Sequence, residues 1–241
     1  MRRPDVTVIV LDFDNPQITT DCVSYVLESD YENFHLVIVE NGSRPEFVQI
    51  VKELFAGHPK ISVVCLPKNV GLTGGFNAGC QAAKTKYLML LENDSFIERS
   101  TLSRMVEVME ADNAVGACQC KLLRYSNPNI IDSAGCLLDH HGCPRDRGSW
   151  LGHFEIDRGQ FNNRTEIFSA SLAGMMLRRQ AIEAVGIFDP KFLTGYAEPD
   201  LCWRLWLAGW KVIFVPDALA YHKRGATVNA SKRLKIDTVY Q

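Results

Sequence analysis

The chain has 241 residues, 46% of them hydrophobic and 22% charged, an ordinary globular composition with material for one large core. A formal net charge of -2 lacks the basic excess of a general nucleic-acid binder, so no nucleic-acid partner is expected. No run approaches the roughly 20 apolar residues that span a bilayer.

Val6 to Leu11, directly after Met1-Arg2-Arg3-Pro4-Asp5, is too short for a signal-peptide core, and no small-residue cleavage site follows it. The expectation is a cytoplasmic protein, with any membrane contact peripheral. Val6–Leu11 itself reads as a buried strand, and Thr20–Ser29 as a helix opened by polar residues. Leu36–Glu40 is a second strand ending at the turn Asn41-Gly42-Ser43. Arg44–Phe55 has helical apolar spacing, Ile61–Leu66 is a third strand, and a glycine-rich turn leads into a helix over Ala78–Lys84. Tyr87–Leu91 is the most apolar strand. Strands alternating with helices predict an α/β fold, a Rossmann-like, mostly parallel sheet flanked by helices.

The second half is less regular. Arg124 to Arg164 is rich in Asn, Asp, Gly, Pro and His and predicts long loops. Phe168–Leu177 suits a buried strand, Ala181–Val185 a helix ending at Gly186, and Val212–Val215 a last strand. Asp200–Ala208 reads as a helix with Pro199 at its first position and Gly209 after its end. That placement leaves Glu198 just outside the helix. With no linker in between, the whole of 1–241 is expected to be one domain, with a smaller, less regular subregion after about 115.

In open α/β sheets ligands bind beyond the carboxyl ends of the strands. The residues there are Asp12-Phe13-Asp14, Glu40-Asn41-Gly42-Ser43, Lys68-Asn69-Val70-Gly71 and Glu92-Asn93-Asp94, each acidic, polar or glycine-rich. Four candidate site loops thus converge on one edge.

Three constellations carry chemistry. Glu92 and Asp94, two residues apart after an apolar strand, make a hard-oxygen site for magnesium or manganese with room for substrate phosphates. The structural alternative is a surface turn with Asp94 or Ser95 as a helix cap. The run Asn69-Val70-Gly71 through Asn77 to Gly79 lacks the P-loop ending and the dinucleotide spacing. It still joins a strand to a helix N-terminus that favours a diphosphate, although close helix packing would use glycines in the same way. Glu198 and Asp200 are the candidate catalytic acids. Of the two, Asp200 has an independent structural reason to stand in a first helical turn, where the dipole favours an acid. His222, beside Lys223 and Arg224, is a weaker candidate ligand, since a single histidine is more often a hydrogen-bonded surface residue.

Eight cysteines are present. Cys118, Cys120, Cys136 and Cys143 with His140 and His141 form no CxxC pair, so reduced cysteines are favoured over a structural zinc.

In this order the motifs resemble the inverting family 2 glycosyltransferases of the GT-A fold, and among them the bacterial rhamnosyltransferase-like members that build cell-surface polysaccharides. The resemblance runs from about Val6 to Gly225. It rests on Asp12-Phe13-Asp14-Asn15, Val39-Glu40-Asn41-Gly42-Ser43, Asn69 to Gly79, Leu90-Leu91-Glu92-Asn93-Asp94, Gly186-Ile187-Phe188-Asp189, Glu198-Pro199-Asp200-Leu201 and His222. It implies a nucleotide-diphosphate sugar donor, a glycan or lipid-linked glycan acceptor, and Mg2+ or Mn2+ as cofactor at the inner face of the membrane. It implies donor contacts from Asp12, Phe13, Asp14, Glu40, Asn69, Gly71, Asn77, Asn93 and Asp94. The metal would lie on Asp94, Glu92 and His222, with Glu198 as catalytic base. dTDP-rhamnose is the first donor to expect, and UDP-sugars the next.

Asp12-Phe13-Asp14 departs from the family's Asn-aromatic-Asn, Glu40 from its aspartate, and Ala197 from a further acid. The departures imply an altered nucleotide preference or a weakened, non-catalytic relative, which a donor-hydrolysis assay separates. A nucleotidyltransferase on a similar sheet would carry a glycine-rich loop with a cation after the first strand, where Asp12-Phe13-Asp14-Asn15 stands instead.

Overall fold

The computed structural model describes residues 4–192 and 195–224. In chain order the elements are β1 Val6–Asp12, α1 Pro16–Leu27, β2 Phe34–Glu40, α2 Pro45–Phe55, β3 Ile61–Cys65, α3 Gly71–Ala82, β4 Tyr87–Glu92, β5 Ser95–Ile97, α4 Thr101–Ala111 and β6 Val115–Arg124. They continue with β7 Asn127–Ser133, β8 Cys136–Leu138, β9 Pro144–Asp146, β10 Ser149–Trp150, β11 His153–Phe154, β12 Thr165–Glu166, β13 Met175–Arg178, α5 Arg179–Val185, α6 Ala197–Leu207 and β14 Lys211–His222.

The main sheet has the order β12-β14-β6-β13-β4-β1-β2-β3, with β5 on β14 and β7 on β6. The pairs β1–β2, β1–β4, β2–β3 and β6–β14 are parallel, and β13 runs antiparallel between β4 and β6. The expected mostly parallel sheet with helices on both faces is therefore present. Strand alternation makes its two cores: Val6, Val8 and Val10 of β1 pack on one face, and Ile9 and Leu11 on the other.

Several local expectations are corrected. Helix α1 starts at Pro16, four residues early, because Asn15 caps it by accepting from the Ile18 N–H and proline suits the first position. The glycine-rich run is helix rather than turn, since α3 begins at Gly71. Its glycines serve close packing: a Cβ on Gly79 would lie 2.4 Å from Ile9 Cγ2, and one on Gly75 2.4 Å from Leu11 Cδ1. The segment 124–164 is not long loop, for β7 pairs with β6 and two short hairpins follow, β8–β9 and β10–β11. Of Phe168–Leu177 only the end is strand, in β13. Strand β14 runs past Pro216 to His222 through a register shift between Val215 and Leu219; a bulge tolerates a proline that a regular ladder would not. Elements α4 and β6 lie outside the expected set.

Helix α6 begins at Ala197, so Glu198 is its second residue and not outside it. Tyr196 adopts the left-handed conformation at φ 56°, and its carbonyl accepts the Asp200 N–H at 3.0 Å. Pro199, third in the helix, is tolerated because the first-turn N–H groups have no intrahelical acceptor. No helix among the described residues is long and apolar enough to cross a membrane.

Candidate active site

The strand-end loops interlock as the topology requires. Asp14, left-handed at φ 52°, donates its N–H to Ser43 Oγ at 2.9 Å, and its carboxylate accepts the Arg44 N–H at 2.9 Å. Asn41 accepts from the Val70 N–H at 3.1 Å and donates to Asn69 Oδ1 at 3.2 Å. Asn69 in turn accepts the Gly71 N–H at 2.8 Å. Gly42 has φ 72°, and a Cβ there would stand 2.1 Å from the Lys68 carbonyl carbon, so only glycine lets these two loops touch.

Beneath them Asp12 accepts hydrogen bonds from Thr19 and Asn93, while Asn93 also donates to Thr19 Oγ1 at 2.9 Å. Burial, with the charges of Glu40 and Asp14, pushes the Asp12 carboxyl up to about 6 against those two bonds. Glu40, opposite Asp12 in the β1–β2 register, accepts the Ser43 N–H at 2.7 Å through one oxygen. Its second oxygen, like Asp12 Oδ2, is buried and finds no hydrogen-bond partner. Such acceptors cost free energy unless a ligand's donor meets them.

On the other side of Asn93 stands the one group of three potential metal ligands among the described residues: Glu92, Asp94 and His222, with one ligand atom of each within 4.8 Å of the others. Strand pairing brings them together. His222 lies opposite Ser95 in the β5–β14 ladder, and the Lys223 N–H donates to the Asp94 carbonyl at 2.8 Å. His222 Nε2 is 3.3 Å from Asp94 Oδ1 and 4.0 Å from Glu92 Oε2. Its Nδ1 is 2.7 Å from Asp132 Oδ2.

Burial works against a charged imidazole, but hydrogen bonds to Asp132 and Asp94 and the Glu92 charge push His222 up to about 10. Burial likewise pushes Glu92 up to about 7, against the pull of His222. Two carboxylates and an imidazole fit a divalent cation such as Mn2+ or Mg2+.

The third part is a cavity of about 420 Å3 lined by Glu92, Gln119, Asp146, Trp150, Glu198 and His222. Glu198 enters it from the first turn of α6. Burial raises its carboxyl above the ordinary range, opposed by hydrogen bonds from its own and the Leu172 backbone N–H. Glu198 is half-buried and faces the cavity, and among the described residues no cation forms an ion pair with it.

Asp200 takes another course. It pairs with Arg204 Nη2 at 2.8 Å, and Arg204 also donates to the carbonyls of Val185, Gly186 and Ile187. It thus ties α6 to the end of α5 and is not among the cavity-lining residues. Asn77 also stands apart: its amide donates to the Phe188 carbonyl at 2.8 Å and accepts the Phe188 N–H at 3.1 Å, fastening α3 to the 188 loop. Phe13 is half-buried beside Asp12 and Asp14. Asp132, Gln119, Asp146 and Trp150 were not singled out by the sequence. Asp132, at the end of β7 in Ile130-Ile131-Asp132-Ser133, had the signal of a short apolar run ending in an acid, inside a stretch that composition marks as loop. Of the cysteine cluster, Cys118, Cys120 and Cys136 are buried and Cys143 is exposed.

Solved structures place this architecture in a known class. The chain superposes on GalNAc-T7 with UDP, GalNAc and Mn2+ at a TM-score of 0.75, with 14% identity, covering 92% of this chain and 44% of that one. It superposes on the Pyrobaculum calidifontis mannosyltransferase PcManGT, in complex with GDP-Man and Mn2+, at 0.69 with 19% identity, covering 97% and 61%. The fold is that of the GT-A glycosyltransferases. The family model for Glycosyl transferase family 2 matches residues 7–186, and the chain belongs to that family. Among curated relatives it is 22% identical over 231 residues to the poly-beta-1,6-N-acetyl-D-glucosamine synthase of Staphylococcus aureus strain COL, covering 91% of this chain and 52% of the relative. The chain thus spans about half the length of that relative. The rhamnosyltransferase-like subtype is not represented among these relatives.

Proposed function

We propose that this domain transfers a sugar from a nucleotide-diphosphate donor to an acceptor hydroxyl, with inversion at the anomeric carbon and dependence on a divalent cation. The observation that carries the reading is that a single cavity is lined both by Glu92 and His222 of the candidate cation site and by Glu198. Leaving-group and nucleophile chemistry would therefore meet in one cavity.

Glu92, Asp94 and His222 would hold the cation, which supplies Lewis-acid neutralisation of the charge that develops on the leaving diphosphate. The interlocked loops of Asp12, Asp14, Glu40 and Asn69 fix the donor edge, and the unpartnered oxygens of Asp12 and Glu40 await donors from the nucleoside. Phe13, Gly71 and Asn93 complete that donor wall. Asn77 supports it from behind by holding the 188 loop. Glu198 accepts the acceptor hydroxyl's proton as that oxygen attacks from the face opposite the leaving group. Asp200 holds the Glu198 turn in place through Arg204.

Residues up to about 115 form the donor half, and the rest the acceptor and base half of one domain. The acceptor is a glycan or lipid-linked glycan of cell-surface polysaccharide synthesis, and the setting is cytoplasmic with peripheral membrane contact. Similarity to the poly-beta-1,6-N-acetyl-D-glucosamine synthase supports that class of product. For the donor, dTDP-rhamnose is our first candidate; UDP- and GDP-sugars are the alternatives that the ligands of the two solved structures raise.

The test is donor hydrolysis and transfer across a panel of these nucleotide sugars, with Mn2+ and with chelator. Cation-dependent release of a nucleoside diphosphate is expected. Donor bound but never cleaved under any condition would identify a non-catalytic relative instead.

A further inference from the structure

The two ring nitrogens of His222 face different partners. Nε2 looks to Asp94 at 3.3 Å and Glu92 at 4.0 Å, whereas Nδ1 meets Asp132 Oδ2 at 2.7 Å. The Asp132 carboxylate is fully buried and lies on β7, outside the donor loops and outside the cavity wall.

Register explains the meeting. Strand β6 carries β7 on one edge and β14 on the other, with Leu122 opposite Ser133 and Arg124 opposite His222. The residue before Ser133 is thereby brought to the last residue of β14. The other Asp132 oxygen is held by Arg224 Nε at 3.2 Å and Arg124 Nη1 at 3.5 Å. The carboxylate is clamped between two guanidinium groups and one imidazole and cannot turn away.

We infer that Asp132 is a positioning residue for the cation site, holding the His222 ring by its Nδ1–H so that the Nε2 lone pair is aimed between Glu92 and Asp94. Resting on the cation reading above, it adds a residue that touches neither donor nor metal. A carboxylate accepting the Nδ1–H fixes the tautomer, orients the ring and strengthens the opposite nitrogen as a ligand; such partners are worth about 10–100-fold in metal affinity. The plainer role for Asp132 is neutralisation of Arg124 and Arg224. That role predicts no dependence on His222.

The experiment is Mn2+ titration of the full chain by calorimetry, for wild type, Asp94→Ala, Asp132→Asn, His222→Ala and the double variant His222→Ala/Asp132→Asn. Asp132→Asn should weaken Mn2+ binding about 10–100-fold, yet change it little once His222 is absent, because the two residues act as one unit. Should Asp132→Asn fail to fold by its unfolding midpoint, Asp132→Glu carries the test: it keeps the charge but shifts the carboxylate by a methylene, and the same loss is expected.

Wild-type affinity in the tested Asp132 variant, or the same loss with and without His222, overturns the inference. If Asp94→Ala also abolishes binding, the cation reading survives that result. A wild-type chain that takes up no Mn2+ overturns both.

Discussion

The two halves of the sheet build their parts of the candidate site differently. On the donor side, β1, β2, β3 and β4 end in loops bonded to one another through side chains: Asp14 to Ser43 and Arg44, Asn41 to Val70 and Asn69, Asn93 to Asp12 and Thr19. On the acceptor side, Asp146 and Trp150 stand on strands of two or three residues, and Glu198 on a first helical turn. A polar network with committed partners is preorganised before any ligand arrives. Short hairpins at a rim can change length and sequence without disturbing it. The lesson is a division of labour. On the proposed function, a constant diphosphate chemistry would sit on the interlocked edge, and acceptor choice on the loosely built one.

The sharpest way to break that division is to remove the proton acceptor alone. Glu198→Gln keeps the side chain's size, so turnover should fall by about 10²–10⁴ while donor affinity hardly moves. Loss of donor affinity with turnover intact would make Glu198 a donor-binding residue rather than the base. The pH profile sharpens the same point. Glu198 works only when ionised, and burial raises its carboxyl above the ordinary 4.5. At saturating cation the rate should therefore be lost as pH falls through a midpoint above 4.5, and a midpoint at or below that value contradicts the assignment.

The interlock is tested by Asn41→Ala, which strands the Val70 N–H and frees the Asn69 amide. It should cost about 0.5–1.5 kcal/mol of stability, the net worth of a part-buried hydrogen bond. An unchanged denaturant midpoint would show the loops to be independent. The smallest effect belongs to Asp200→Asn, about 0.3–1 kcal/mol if the helix dipole is what is lost, with turnover largely kept. Turnover falling as far as in Glu198→Gln would make Asp200 the base.

The same contrast explains what the sequence showed. Strands β1, β2 and β4 were legible because both faces are buried and their residues run continuously apolar. The topology rule then placed Asp12, Glu40, Asn69 and Asp94 at one edge without any contact being known. Helix α3 was misread in its first turns because four of the nine residues 71–79 are glycine, which helix propensity alone disfavours; only the sheet packed beneath shows why they are there. Strand β14 was cut short at Pro216, since a bulge leaves no mark in a single strand's periodicity. Asp132 was missed because its value depends on a register between β7, β6 and β14 that local pattern does not encode. Both His222's role and its partner are long-range facts, whereas Glu92 and Asp94 announce themselves within three residues.

The central claim is that the Glu92–Asp94–His222 cluster makes nucleotide-diphosphate binding depend on a divalent cation. Calorimetry of UDP, GDP and dTDP binding to wild type and Asp94→Ala, with Mn2+ and then with chelator, tests it most directly. Wild-type affinity for at least one diphosphate should rise with Mn2+ and fall on chelation, while Asp94→Ala, still folded, shows no difference between the two conditions. Equal wild-type affinity with cation and with chelator, or a cation effect that persists undiminished in Asp94→Ala, would contradict the account.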